Sequence, residues 1–311
     1  MPRLPRRKFM QQMGAAAVFS GLGGIGASFA QTEKEGSKKI NDTNRFKISL
    51  NAYSFNKPLM NKETDLEALI SFCAKEGFDA IDMTGYYFPG YPAVPGDAYI
   101  YQLKNKAHRM GVEISGTGIR NDFGDPDAEK RKEQIEFVKN WIDVAAKLGA
   151  PVIRIFTARE KPANYSWEET EKWIIDAIAT CAEYGKQKGV ILAVQNHNDF
   201  IKTADQAMDI LQKANSDWLG LVLDTGSFVT EEPYSEIAKV TQYAVNWQIK
   251  EKLNYQGNSM DMDLERLFRI VWASTYRGYL PIETLSPGDP FGIVPPFLQK
   301  VKKALAKAEK G

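Results

Sequence analysis

Four short segments hold most of the residues able to do chemistry: 192–199 (LAVQNHND), 221–226 (LVLDTG), 245–251 (VNWQIKE) and 280–285 (LPIETL). Each runs from apolar residues into polar ones, as a strand does when it ends at a functional surface. Side chains alternate along a strand, so Asn246, Gln248 and Lys250 share one face and Val245, Trp247 and Ile249 face the helices, while Gln195 and His197 also share a face. His197, one of two histidines, can change protonation near neutral pH; it reads as a substrate contact or proton carrier, or else as a structural hydrogen-bonding group. His108 falls on a predicted helix, in a surface or satisfied role. Lys250 can neutralise a developing enolate or a substrate carboxylate, the alternative being an ion pair with Asp224 or Glu251.

Such residues need elements to bring them together. Short β-rich runs at 46–53, 78–84, 112–118, 151–157, 190–197, 219–224, 243–250 and 279–284 alternate with longer helical patterns, which argues for a parallel sheet. Gly77, Gly111, Gly149, Gly189 and Gly278 each precede a strand, where a helix C-terminus commonly takes a left-handed residue. Ile135, Val138, Ile142, Ala145 and Ala146 lay one apolar stripe along a helix, as core residues do. Periodicity fits both an open doubly wound sheet and a closed barrel. Closure is favoured by polar residues at many strand ends (Asn51, Asp82, Arg154, Gln195, Asp224, Gln248 and Glu283). A Rossmann sheet would need a glycine-rich phosphate turn after an early strand, but Gly85 is followed by Tyr-Tyr-Phe-Pro. The expected fold is α/β, a single-domain (β/α)8 TIM barrel over residues 45–311. Its mouth would be rimmed by Tyr53, Phe55, Tyr86, Tyr87, Phe88, Tyr91, Phe123, Phe200 and Phe228, suited to the apolar faces of sugar rings or explained by ordinary loop packing.

At the four segments the chain resembles the xylose isomerase-like superfamily of sugar isomerases and epimerases. Members read roughly E-x-H or E-N-H at strand five, D-T-G-N at strand six, H-x-K-D at strand seven and I-E at strand eight. The resemblance implies a divalent ion held by Glu, Asp, His and Glu, with the two glutamates moving protons on opposite faces of a sugar carbon. Asp224 and Glu283 match, but Gln195 stands at the first Glu position and Gln248 at the His position. An amide oxygen can ligate a hard cation, yet an amide cannot serve as a carboxylate base near neutral pH. The resemblance thus implies a metal set of Asp224, Glu283, Gln195 and Gln248 with reduced charge. Such oxygen ligands favour Mg2+, Mn2+ or Ca2+ over Zn2+. Catalysis would fall to Glu283, His197 and Lys250, and substrate binding to Gln195, Asn51, Tyr53, Arg154, Tyr86 and Asn246.

The N-terminus predicts export. Arg3, Arg6, Arg7 and Lys8 precede a Gly- and Ala-rich uncharged run over 9–32, and Arg6-Arg7-Lys8-Phe9-Met10 resembles a twin-arginine motif, with Pro5 where Ser or Thr is usual. Ser28-Phe29-Ala30 predicts cleavage before Gln31, with 31–44 a flexible spacer and the mature protein periplasmic. A retained membrane anchor is the alternative. Cleavage removes four basic residues and no acidic ones, leaving 36 against 39 and a net charge of −3, which gives no sign of a nucleic-acid partner. Cys73 and Cys181 sit in apolar helical stretches, as buried thiols or, in an oxidising compartment, a disulfide.

Three functions fit these residues, each with a small carbohydrate as partner. The first is an isomerase or epimerase working through an enediolate, with Glu283 taking the proton and Asp224, Lys250, His197 and a metal stabilising the oxyanion. The second is a lyase, dehydratase or hydratase of a keto-sugar or keto-glycoside, for which one base and one acid suffice. The third is a non-catalytic sugar-binding barrel. No phosphate cradle is evident, so a phosphorylated substrate is not expected.

Overall fold

The computed structural model describes residues 45–197, 200–255 and 257–310. The leader over 1–30 and the spacer over 31–44 lie outside the described residues, as do Asn198 and Asp199 at the end of the fifth-strand segment. The strands are β1 (Phe46–Asn51), β2 (Ala80–Thr84), β3 (Glu113–Gly118), β4 (Val152–Ile155), β5 (Ile191–Gln195), β6 (Leu219–Asp224), β7 (Ala244–Lys250), β8 (Lys252–Tyr255), β9 (Asn258–Asp261) and β10 (Gly278–Glu283). Eight of them close into a parallel barrel in the order β1-β10-β7-β6-β5-β4-β3-β2, with helices between successive strands.

Each of the eight expected strands is present, its ends moved by at most two residues. At the end of β1 the cause is local: the Asn51 side chain accepts a hydrogen bond from the Tyr53 backbone N–H (2.9 Å) and turns the chain into a 3-10 turn over Ala52–Phe55. Of the expected helix stops, Gly77, Gly149 and Gly189 are left-handed caps and Gly111 follows one residue after its helix cap, whereas Gly278 opens β10 four residues after the Ser274 cap. Gly149 and Gly189 end their helices at φ +84° and +71°, a region that costs a side chain strain and costs glycine none. On the helix Ala128–Leu148, Val138, Ile142 and Ala145 are buried against the sheet, and Ile135 and Ala146 partly so.

Two features depart from the sequence expectations. Between β7 and the helix Leu264–Ala273 stands an antiparallel hairpin of β8 and β9. No apolar alternation announced it, since Leu253 alone is buried in β8 and every residue of β9 is exposed. Val245 also breaks the strict alternation assigned to β7. A register shift between β6 and β7 sets Leu221 opposite Ala244 and Val222 opposite Asn246. The extra residue turns Val245 away from the helices and onto Val152, Ala193 and Val222, a small apolar floor inside the barrel. Trp247 and Ile249 face the helices as expected and are buried there.

Above that floor the barrel interior is polar. Ser49 and Ser115 share a hydrogen bond (2.7 Å), and Asn246 donates to Asp82 (3.3 Å). Cys73 and Cys181 are buried free thiols rather than a disulfide, with burial raising the Cys181 thiol to about 12. No helix among the described residues is long and apolar enough to cross a membrane.

Candidate active site

The C-terminal ends of the strands bring the four signature segments to one place. A cavity of about 190 Å3 opens there, lined by Asn51, Tyr53, Tyr86, Arg154, Gln195, His197, Gln248, Lys250 and Glu283, together with Arg120, Phe156 and Leu285. Asp224 lies just beneath, fully buried. A cleft of about 800 Å3 shares Tyr53 and Leu285 with this cavity, and another of about 370 Å3 shares Lys250, Glu283 and Leu285. The small mouth therefore adjoins two larger clefts.

The polar groups form one connected network. Gln195 Nε2 donates to Asp224 Oδ2 (2.7 Å), and the Gly226 backbone N–H donates to Asp224 Oδ1 (3.0 Å). Asn196 locks β5 to β6, donating to the Asp224 carbonyl (2.9 Å) and accepting from the Asp224 N–H (2.8 Å). Across the mouth Gln248 Nε2 donates to Glu283 Oε2, and Lys250 Nζ donates to Glu283 Oε1 while standing 3.4 Å from Asp224 Oδ2. Thr225 fastens the stem from below, accepting from the Lys250 backbone N–H (3.0 Å). Position 226 must be small, because a Cβ there would lie 2.7 Å from the Lys252 carbonyl oxygen and 2.9 Å from Lys250 Cγ. The Asp-Thr-Gly triplet thus seats the lysine as well as supplying its counter-charge.

Charge follows from this geometry. Burial by itself would lower the Lys250 pKa, but Asp224 and Glu283 outweigh it and hold the ammonium above the ordinary lysine value. Arg154 donates to the Tyr86 hydroxyl (3.1 Å) and stacks over Phe156 with Cζ 4.4 Å from the ring centre. His197 meets the edge of the same ring at 5.1 Å between centroids. Deeper in the barrel, burial pushes the Asp82 carboxyl up to about 6, with Arg154 and the Asn246 amide opposing and Glu283 adding to the shift.

That shift predicts a pH dependence of stability. Asp82 is protonated in both states well below its unfolded value of 3.8; between about pH 4 and 6 only the unfolded chain ionises, and above 6 the folded chain carries the full penalty. Stability should therefore fall by on the order of 1–3 kcal/mol across that window. Asp82→Asn should flatten the fall, as measured by urea unfolding at a series of pH values. An unchanged slope in the variant would rule out Asp82 as its source.

Most residues expected at the site are there, and some are not. Asn246 does not line the cavity; its amide is engaged with Asp82 and with the Trp247 backbone N–H (2.9 Å). Of the expected rim aromatics only Tyr53 and Tyr86 reach the cavity wall. Phe55, Phe88, Phe123, Phe200 and Phe228 are core, with exposures of 0–3%. The Tyr87 hydroxyl donates to Asn56 (2.9 Å), and that of Tyr91 accepts from the Arg120 backbone N–H (3.0 Å). Glu251 does not pair with Lys250 and instead accepts from the Leu285 and Ser286 N–H groups (3.0 and 3.1 Å), fixing the loop after β10. His108 is exposed on its helix. Sequence reasoning missed Arg120, Phe156 and Leu285. Arg120 was within reach, since it lies two residues past Gly118 at the end of β3.

A closed eightfold barrel with converging polar groups at its strand ends defines a (β/α)8 TIM-barrel scaffold with a candidate site at its mouth. The chain belongs to the xylose isomerase-like TIM barrel family, whose sequence profile matches residues 70–307. It is similar to the C-glycoside deglycosidase alpha subunit of Microbacterium trichothecenolyticum, 29% identical over 185 residues, covering 57% of this chain and 46% of the relative. The chain thus spans about half the length of that relative. Among solved structures it resembles D-psicose 3-epimerase from Clostridium cellulolyticum H10 with D-tagatose (TM-score 0.65, 17% identity, 85% of this chain and 97% of that one). It also resembles a xylose isomerase-like TIM barrel protein from Mycobacterium smegmatis in complex with magnesium (TM-score 0.62, 18% identity, 84% and 97%). At these identities the structural likenesses concern the fold.

The donor set does not fit a divalent ion. Both amides donate their NH2 groups to the carboxylates, so each would have to turn over to offer its oxygen to an ion. Lys250 Nζ stands between the two carboxylates. Among the described residues no group of three or more His, Cys, Asp or Glu side chains is placed to hold a metal.

Proposed function

We propose that this barrel is a carbohydrate-active enzyme that removes the proton beside a sugar ketone and uses the resulting enolate to expel a β-substituent, a lyase of keto-glycosides. The observation that carries this reading is one-sidedness: Glu283 is the only carboxylate among the described residues lining the cavity, and the strand-five position holds Gln195. An epimerisation that takes a proton from one face and returns it to the other needs two bases. An elimination needs one base and one acid.

In the proposed step the Glu283 carboxylate takes the C–H proton and the C–H electron pair forms the enolate. The Lys250 ammonium faces the developing oxyanion, adjacent to the base, as enolisation requires. The enolate then reforms the ketone while its carbon-carbon π pair shifts toward the β-carbon, and the bond to the leaving group breaks with its electrons departing on that group. His197, on the cavity wall, supplies the leaving group's proton. Tyr53, Tyr86, Arg154, Gln195 and Asn51 would hold the sugar, and the adjoining clefts would take the departing portion. The deglycosidase name of the curated relative supports this reading. Export through the leader would place the enzyme where free glycosides are met.

The test is an NMR assay in D2O with a panel of keto-glycosides. Release of the aglycone with an unsaturated keto-sugar is the expected outcome. Deuterium entering a sugar carbon of a glycoside that stays intact would replace this reading with isomerisation or epimerisation, and binding without turnover would replace it with a sugar-binding barrel.

A further inference from the structure

We infer that the Lys250 ammonium is a built-in cation occupying the place that a divalent ion would take between Asp224 and Glu283, and that the site operates without a metal. Three observations converge on this. Lys250 Nζ is paired with both carboxylates, which between them would have carried most of a metal's counter-charge. The remaining two positions are amides that donate N–H groups to those same carboxylates, so Asp224 Oδ2 and both oxygens of Glu283 are already accepting hydrogen bonds. The lysine is also held in place: Thr225 fixes its backbone N–H, and Gly226 leaves room for its stem and little else.

An entering divalent ion would have to expel the ammonium from a fitted channel, turn both amides over and leave their NH2 groups without the carboxylates they now serve. Each of those changes breaks a charge-assisted hydrogen bond in a buried site, and coordination by two carboxylates and two neutral amides would have to offset all of them together. Lys250 matches the lysine of the H-x-K-D pattern, so the two glutamines are the departure: their NH2 groups turn to the carboxylates and leave the ammonium as the cation between Asp224 and Glu283, carrying exchangeable protons and facing the cavity. Such a group can donate a hydrogen bond to a carbonyl oxygen where a metal would coordinate it.

The test compares Mn2+ uptake by the full-length wild type and by Asp224→Asn, read as loss of the free-ion EPR signal. The expected result is no difference between them. Uptake of one additional ion per chain by the wild type would overturn the inference. Should Asp224→Asn fail to fold, the wild type alone decides it through the Lys250 side-chain NMR signal, assigned with Lys250→Arg. Mg2+ should leave that signal in place, whereas a shift on saturation would show the ammonium displaced. The catalytic corollary rests on the proposed elimination: Lys250→Met should lower kcat about 100-fold, and chelators should leave the wild-type rate unchanged. The metal experiments read binding rather than turnover, so their failure is distinct from failure of the proposed reaction.

Discussion

Glu283→Gln is expected to lower kcat by about 10²–10⁴-fold on any keto-glycoside the wild type cleaves, with KM changed far less. The substitution is nearly isosteric but removes the only carboxylate on the cavity wall among the described residues, and an amide cannot accept the substrate proton. It also alters the network, because the new NH2 group must face either the Lys250 ammonium, a donor, or the Gln248 amide, which would have to turn its oxygen inward to accept. Some loss of stability should accompany the loss of rate, and a thermal melt separates the two effects. Single-turnover kinetics on folded variant is the deciding measurement. A rate within a few-fold of wild type would remove Glu283 as the base and move attention to His197.

The barrel was legible in the sequence because its signals were redundant: eight apolar runs, glycines at helix stops and polar residues at successive strand ends all pointed to one closed sheet. The site was legible to the extent that it follows strand alternation. Gln195, Gln248, Lys250 and Glu283 obey that rule and converge. Val245 and Asn246 show where it fails, since a register shift between two strands cannot be read from either strand by itself. The rim aromatics show a second limit. A phenylalanine after a strand can close the top of the helix-side core or line the cavity, and composition does not separate the two; Phe228 and Phe123 took the first course and Phe156 the second. The identity of Lys250's partners was likewise hidden. Asp224 and Glu251 were both plausible from proximity in sequence or expected space, and the structure assigns Asp224 and Glu283 because Glu251 caps the loop over 285–286.

Asp224→Ala is expected to cost about 3–5 kcal/mol of folding stability, seen as a lower urea midpoint with little change in slope. Asp224 is fully buried, accepts from Gln195 and from the Gly226 backbone and stands 3.4 Å from Lys250 Nζ, so truncation strands two N–H donors and half-uncovers an ammonium that is itself 13% exposed. Most of that cost belongs to the groups left behind. The double variant Asp224→Ala, Lys250→Met removes the uncompensated charge together with its partner, and should therefore be more stable than Asp224→Ala alone. Recovery of that kind would show that the lysine's charge, rather than its packing, depends on Asp224. Strict additivity of the two losses would mean that the ammonium and the carboxylate do not interact in the folded barrel, and the arrangement of charge on which both the elimination and the built-in cation depend would have to be redrawn.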